Sequence, residues 1–101
     1  MNTQNLAGKL AVITGGSSGI GFAIANALAK RGAQILIVAR NETKLAEAAK
    51  NLAVSSRLGI ETLSADISNL DDVKRIAEKV SSLAPCADIV VSNAGIVSAG
   101  Y

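Results

Sequence analysis

Histidine and tryptophan are missing from this chain of 101 residues, and cysteine and proline occur once each. With Cys86 as the sole thiol, no internal disulfide can form. One cysteine without any histidine also leaves no ligand set for zinc or another transition metal. A strong charge of either sign is lacking too: the net charge is +2, with Lys and Arg dispersed, which offers no basic patch to nucleic acid. The longest uninterrupted apolar run, Ile35 to Ala39, has five residues, against about 20 for a transmembrane helix. The opening "MNTQNLAGK" has no charged start leading into an apolar stretch, so no signal peptide is expected. What remains is a composition half apolar and 18% charged, that of a globular chain rather than a disordered one. A cytoplasmic protein is the expectation.

Short apolar runs alternate with helix-like stretches along the whole chain. "KLAVIT" (Lys9–Thr14) and "AQILIVA" (Ala33–Ala39) are rich in Val and Ile and bounded by glycine, the pattern of strands buried on both faces. "IETLSA" (Ile60–Ala65) is a more polar strand, and "ADIVVS" (Ala87–Ser92) is a fourth, after Pro85. Between them, a first helix is predicted from about Gly19 to Arg31, with Ile20, Ile24, Ala27 and Leu28 on its apolar face and Gly32 as its left-handed stop. A second starts at Asn41, a good N-cap, and carries Leu45, Ala48, Ala49 and Leu52 at helical spacing. A third opens at Ser68, with Asp71 completing a short-armed capping box and Val73, Ile76, Ala77 and Val80 as its stripe.

The order β-α-β-α-β-α-β with short links implies an α/β fold: a parallel sheet with right-handed crossovers and helices on its faces. This is the start of a Rossmann-type doubly wound sheet with strand order 3-2-1-4, which in full has two βαβαβ halves. The last strand ends nine residues before Tyr101. Residues 1–101 are therefore expected to form the N-terminal part of a longer nucleotide-binding domain.

The turn "TGGSSGIG" (Thr14–Gly21) after the first strand accommodates three motifs. Gly16 and Gly21 have the spacing of a P-loop, but Phe22 and Ala23 stand where Lys and Ser/Thr would have to reach phosphate and magnesium. Gly15-x-Ser17-x-Gly19 matches the nucleophile elbow of serine hydrolases. An elbow needs an oxyanion loop from an earlier strand, and none is predicted ahead of this one, so a serine hydrolase stands as a remote alternative. Gly15-x-x-x-Gly19-x-Gly21 is a dinucleotide-binding turn. Gly15 permits the sharp turn, Gly19 lets backbone approach a pyrophosphate, and Gly21 lets the helix lie close to the strand. The helix N-terminus then presents free N–H groups and about half a positive charge to the diphosphate, and Ser17 and Ser18 add hydroxyls.

The same turn, after "GKLAVI", resembles the TGxxxGxG turn of the short-chain dehydrogenase/reductase family. Two further stretches carry the resemblance nearly to the end of the chain. In "ADIS", Asp66 matches the acid that meets the adenine amino group after the third strand, with Ile67 beside it. "SNAG", Ser92 to Gly95, is similar to the family's NNAG, with Ser92 in place of the first asparagine. The resemblance implies that Asn93, Ala94 and Gly95 steady the sheet and border the nicotinamide-side ribose. With the turn, it implies cofactor contacts from Gly15, Ser17, Ser18, Gly19, Ile20 and Gly21.

An NAD-type site carries Asp or Glu about 20 residues past the glycine turn to hold the ribose 2′-hydroxyl. Here Ala39 occupies that place and Arg40 follows. Without the carboxylate a 2′-phosphate is not repelled, and a guanidinium suits its oxygens. Asn41 can add a backbone N–H. A charge-assisted hydrogen bond contributes roughly 1.5–3 kcal/mol, or about ten- to 150-fold in affinity. NADP(H) is therefore expected over NAD.

The family's chemistry needs a serine and a YxxxK pair. Tyr101 has no lysine four residues on and lies too close to the NAG turn, so no catalytic residue is assigned in this chain. The resemblance implies a small-molecule carbonyl or alcohol substrate and a homo-oligomer. "ARNETKL" and "SNAGIVSAGY" also resemble 3-ketodihydrosphingosine reductases, which reduce a long-chain ketone with NADPH, some at the endoplasmic reticulum membrane. A dinucleotide-binding sensor or scaffold that has lost catalysis is the alternative class.

Overall fold

Strand and helix alternate as the apolar pattern requires in the computed structural model, which describes residues 6–15, 19–54, 60–84 and 87–92. The elements are β1 (Leu10–Thr14), α1 (Gly19–Lys30), β2 (Gln34–Ala39), α2 (Glu42–Leu52), β3 (Ile60–Ser64), α3 (Leu70–Leu83) and β4 (Ile89–Ser92). All strand pairs are parallel and the sheet runs β3-β2-β1-β4, the expected order. The strands are one or two residues shorter than their apolar runs. Ala65 lies beyond β3, yet its N–H still reaches the Ala39 carbonyl at 3.0 Å.

The register levels the C-terminal ends of the strands. Thr14 stands opposite both Val38 and Ser92, and Ala39 opposite Ser64. β1 is the point from which the chain winds in both directions, first to β2 and β3 and then back across to β4. In open α/β sheets the crevice outside the carboxyl ends at such a switch point holds the ligand. Asp88 sets the opposite end of the register: its N–H donates to the Leu10 carbonyl and its Oδ2 accepts the Leu10 N–H, each at 2.9 Å.

Alternate side chains of β1 and β2 point to opposite faces, so the sheet has two cores. Ala11, Ile13, Ile35 and Ile37 face α1 and α2 and are sealed there by Ala25, Ala29, Leu45, Ala48 and Leu52. Leu10, Val12, Leu36 and Val38 face α3 and are buried there, beneath Ile76, Val80 and Leu83, which are themselves only partly buried.

Two expectations about the helices need correction. On α1 the buried face is Gly21, Ala25 and Ala29, whereas Ile20 is 62% exposed and Ala27 is exposed. Small residues four apart win because they let the helix axis approach the sheet, and the larger Phe22 and Leu28 pack at the flanks. On α3 the N-cap is Asn69, not Ser68: its Oδ1 accepts the N–H groups of Asp71 and Asp72 at 2.9 and 3.2 Å. Ser68 is held instead by Asp66. Of the predicted stripe, Ile76 and Val80 pack, while Val73 and Ala77 are exposed.

Asn41 does cap α2, its Oδ1 accepting the Lys44 N–H at 3.0 Å. Gly32 ends α1 at φ 96°, where the N–H groups of Gly32 and Ala33 close onto the carbonyls of Ala29 and Leu28.

Candidate functional site

The glycine turn leaves β1 at the level crest of the sheet. Gly15 takes φ 70°, and its N–H donates 2.7 Å to the Val38 carbonyl, so the turn starts while still bonded to the neighbouring strand. Gly19, the first residue of α1, has φ 61°. A Cβ built on it would meet no described atom within 4 Å. Among the described residues nothing fills the space beside it. Gly21 is buried in the helix face turned to the sheet, as its close-packing role requires.

The first turn of α1 contains no acidic residue, whereas α2 and α3 begin with Glu42 and with Asp71 and Asp72. Its positive end therefore has no carboxylate of its own to neutralise it, which suits an anion. Ile20 sits in this turn with its side chain exposed. Ser17, Ser18, Asn93, Ala94, Gly95 and Tyr101 lie outside the described residues.

A second part of the site lies where β2 and β3 end. An open cleft of about 370 Å³ is lined by Arg40, Glu42, Ser64, Ala65, Asp66, Asp72 and Arg75. Ser64 Oγ donates to the Arg40 carbonyl at 3.1 Å and so ties the backbone at the head of the cleft. The Arg40 side chain is exposed and makes no ion pair among the described residues. Asn41 stands next to it as the cap. Asp66 accepts the Ser68 N–H at 2.9 Å and the Ser68 hydroxyl at 2.7 Å, both on Oδ1. No hydrogen bond among the described residues reaches its Oδ2, which leaves an acceptor for an amino group. Ile67 follows in the turn, 45% exposed.

Glu42 and Arg75 line this cleft although the sequence did not single them out. Arg75 donates through Nη1 to Asp72 Oδ1 at 3.0 Å and through Nη2 to the Ser64 carbonyl at 3.2 Å. Asp72 Oδ2 in turn accepts the Asp66 N–H at 2.8 Å. The Asp72–Arg75 spacing is that of a helical i,i+3 ion pair. That much was readable, but the reach back to β3 was not.

Both aspartates of this turn are held below the ordinary carboxylate pKa. For Asp66 the main cause is the Ser68 hydroxyl, then the Ser68 N–H, with the Arg40 charge a smaller one. For Asp72 it is the Asp66 N–H, then Arg75. A depressed folded pKa means that the ionised form supports the fold above the unfolded value, about 3.9, and that this support is lost as pH falls through the folded value. The turn should therefore be unaffected by these groups between pH 7 and 5 and loosen only in strong acid. Carboxylate carbon shifts followed by NMR should give midpoints below about 3.9 for both residues; a midpoint above that would contradict the hydrogen bonds described.

A parallel sheet in this order, with a glycine turn at its switch point and a cleft beside the next strand end, defines a dinucleotide-binding α/β fold. The chain belongs to the short chain dehydrogenase family, whose model matches residues 9–100. An L-sorbose reductase from Gluconobacter frateurii, solved in complex with NADPH and L-sorbose, superposes with a TM-score of 0.85 at 43% identity, over 94% of this chain and 36% of that one. The Pseudomonas aeruginosa RhlG/NADP complex gives a TM-score of 0.81 at 35% identity, over 91% and 36%. A 3-dehydrosphinganine reductase of Arabidopsis thaliana is 37% identical over 89 residues, 88% of this chain and 26% of the relative. The chain thus spans about a quarter to a third of the length of these relatives. No helix among the described residues is long and apolar enough to cross a membrane.

Proposed function

We propose that residues 1–101 are the N-terminal, NADP(H)-binding part of an oxidoreductase that transfers hydride between NADPH and a carbonyl or alcohol substrate. The observation that carries the cofactor choice is Arg40: an exposed guanidinium with no ion pair among the described residues stands just past the end of β2, lining the cleft that also holds Asp66. The NADP and NADPH complexes of similar proteins support the same reading.

In this reading the N-terminus of α1 and the serines of the turn take the pyrophosphate, and Gly19 provides the room. Arg40 and the Asn41 N–H take the 2′-phosphate. Asp66 accepts from the adenine amino group beside Ile67, and Asn93, Ala94 and Gly95 border the nicotinamide-side ribose. Bound NADP(H) supplies the hydride chemistry. The serine and YxxxK residues that handle the substrate proton are expected outside this chain.

For the substrate, a 3-ketosphinganine-like ketone is the finer proposal, supported by the Arabidopsis relative. The sorbose reductase, at 43% identity over this same part, leaves sugar ketones as the competitor. The reading carries a homo-oligomeric, cytoplasmic protein, with an endoplasmic reticulum association tied to the sphinganine-like substrate. Isothermal titration of the protein with NADPH and NADH tests the core of it. NADPH should bind at least tenfold tighter, the lower end of what one charge-assisted hydrogen bond provides. Equal affinities would overturn the cofactor choice, and absence of binding the dinucleotide site itself.

A further inference from the structure

We propose that Arg75 is a positioning residue for adenine recognition: through Asp72 it holds Asp66 where the base must meet it. The proposal rests on the reading of Asp66 given above. One guanidinium spans two elements, bonding the carbonyl of Ser64 at the end of β3 and the carboxylate of Asp72 in the first turn of α3. Asp72 uses both of its oxygens, Oδ1 for Arg75 and Oδ2 for the Asp66 N–H. The backbone of Asp66 is thereby suspended from α3, while its side chain is turned by two bonds from Ser68 to Oδ1. Among the described residues nothing bonds Oδ2, and its location follows from both restraints.

An exposed ion pair of this kind adds little to stability, and the Arg75 side chain is 51% exposed. Its consequence is geometric. A hydrogen bond weakens steeply when its acceptor moves out of line, so loosening the Asp66 backbone should reduce discrimination between bases more than it reduces folding. Arg75 also shares the cleft with Arg40. A direct contact with the 2′-phosphate is the competing role, but both ends of its guanidinium are already engaged at 3.0 and 3.2 Å.

The test compares NADPH with reduced nicotinamide hypoxanthine dinucleotide phosphate, in which a keto oxygen replaces the adenine amino group and faces the carboxylate. The wild-type protein should prefer NADPH by about tenfold or more, the scale of a hydrogen bond to a charged group. Arg75→Ala should lower that preference to below about threefold, and Arg75→Lys, which keeps one of the two bonds, should fall between. The readout is a ratio of two affinities measured on one sample, so partial unfolding of a variant cancels. A wild type that does not prefer adenine removes the role of Asp66 and this proposal with it. A wild type that does, with Arg75→Ala keeping the preference, overturns the positioning role alone. Equal weakening of both phosphorylated ligands with NADH unchanged would make Arg75 a phosphate ligand and also overturn it.

Discussion

Gly19→Asn should abolish dinucleotide binding while leaving the fold intact. At φ 61° most side chains would be strained, but asparagine is the ordinary residue that best tolerates this region. No described atom lies within 4 Å of the added Cβ, so the described residues offer no clash. The pyrophosphate would meet it instead. Losing the approach to the N–H groups of the first turn removes at least one or two charge-assisted bonds, a fall of about a hundredfold or more. Thermal melting should move by only a few degrees. Gly21→Val should also lose binding but melt earlier, because its side chain enters the packed interface between α1 and the sheet, an overpacking cost of roughly 1–3 kcal/mol. If Gly19→Asn bound NADPH within about twofold of wild type, the open space beside Gly19 would not belong to the cofactor.

Arg40→Asp should invert the cofactor preference. Two arginines and three carboxylates line the cleft, and Arg75 is already bound to Asp72. Among the described residues that line the cleft, Arg40 is therefore the cation left for the proposed 2′-phosphate, with Glu42 beside it. Replacing it with aspartate should weaken NADPH by about a hundredfold, through loss of attraction and gain of repulsion, and leave NADH within about threefold. The exposed position, with no ion pair among the described residues, predicts an unchanged melting temperature. Unequal titration of the two cofactors is the check; a variant that still prefers NADPH would put the phosphate elsewhere.

The strands and their order were legible because β1 and β2 are buried on both faces, which forces continuous Val, Ile and Leu into short runs. The Asn41 cap and the Gly32 stop were legible because both rest on local backbone chemistry. The packed face of α1 was not, since ranking by apolar size centres the face on Ile20, Ile24 and Leu28, while the close approach of helix and sheet selects Gly21, Ala25 and Ala29. At α3 two adjacent polar residues compete for one cap. Ser68 loses it because Asp66 engages both its N–H and its hydroxyl. In the site, Arg40 and Asp66 stood out by their places after strands. Glu42 and Arg75 did not, because they reach the cleft from helices, and Arg75 does so only once α3 lies beside β3.

The helices on the two sides of the sheet are not equally buried. α1 and α2 contribute fully buried residues to one side, whereas α3 on the other has none. In the proposed binding mode the pyrophosphate end of the crevice is built on the layer whose helices are buried, and the adenine end hangs from the other. Local opening of α3 should release Asp72, and with it the Asp66 turn, before the glycine turn between β1 and α1 is disturbed. A dinucleotide would then behave as a strap across the layers, slowing the opening of α3 far more than that of the strands. Release of the cofactor would begin at its adenine end, with the diphosphate as the last anchor.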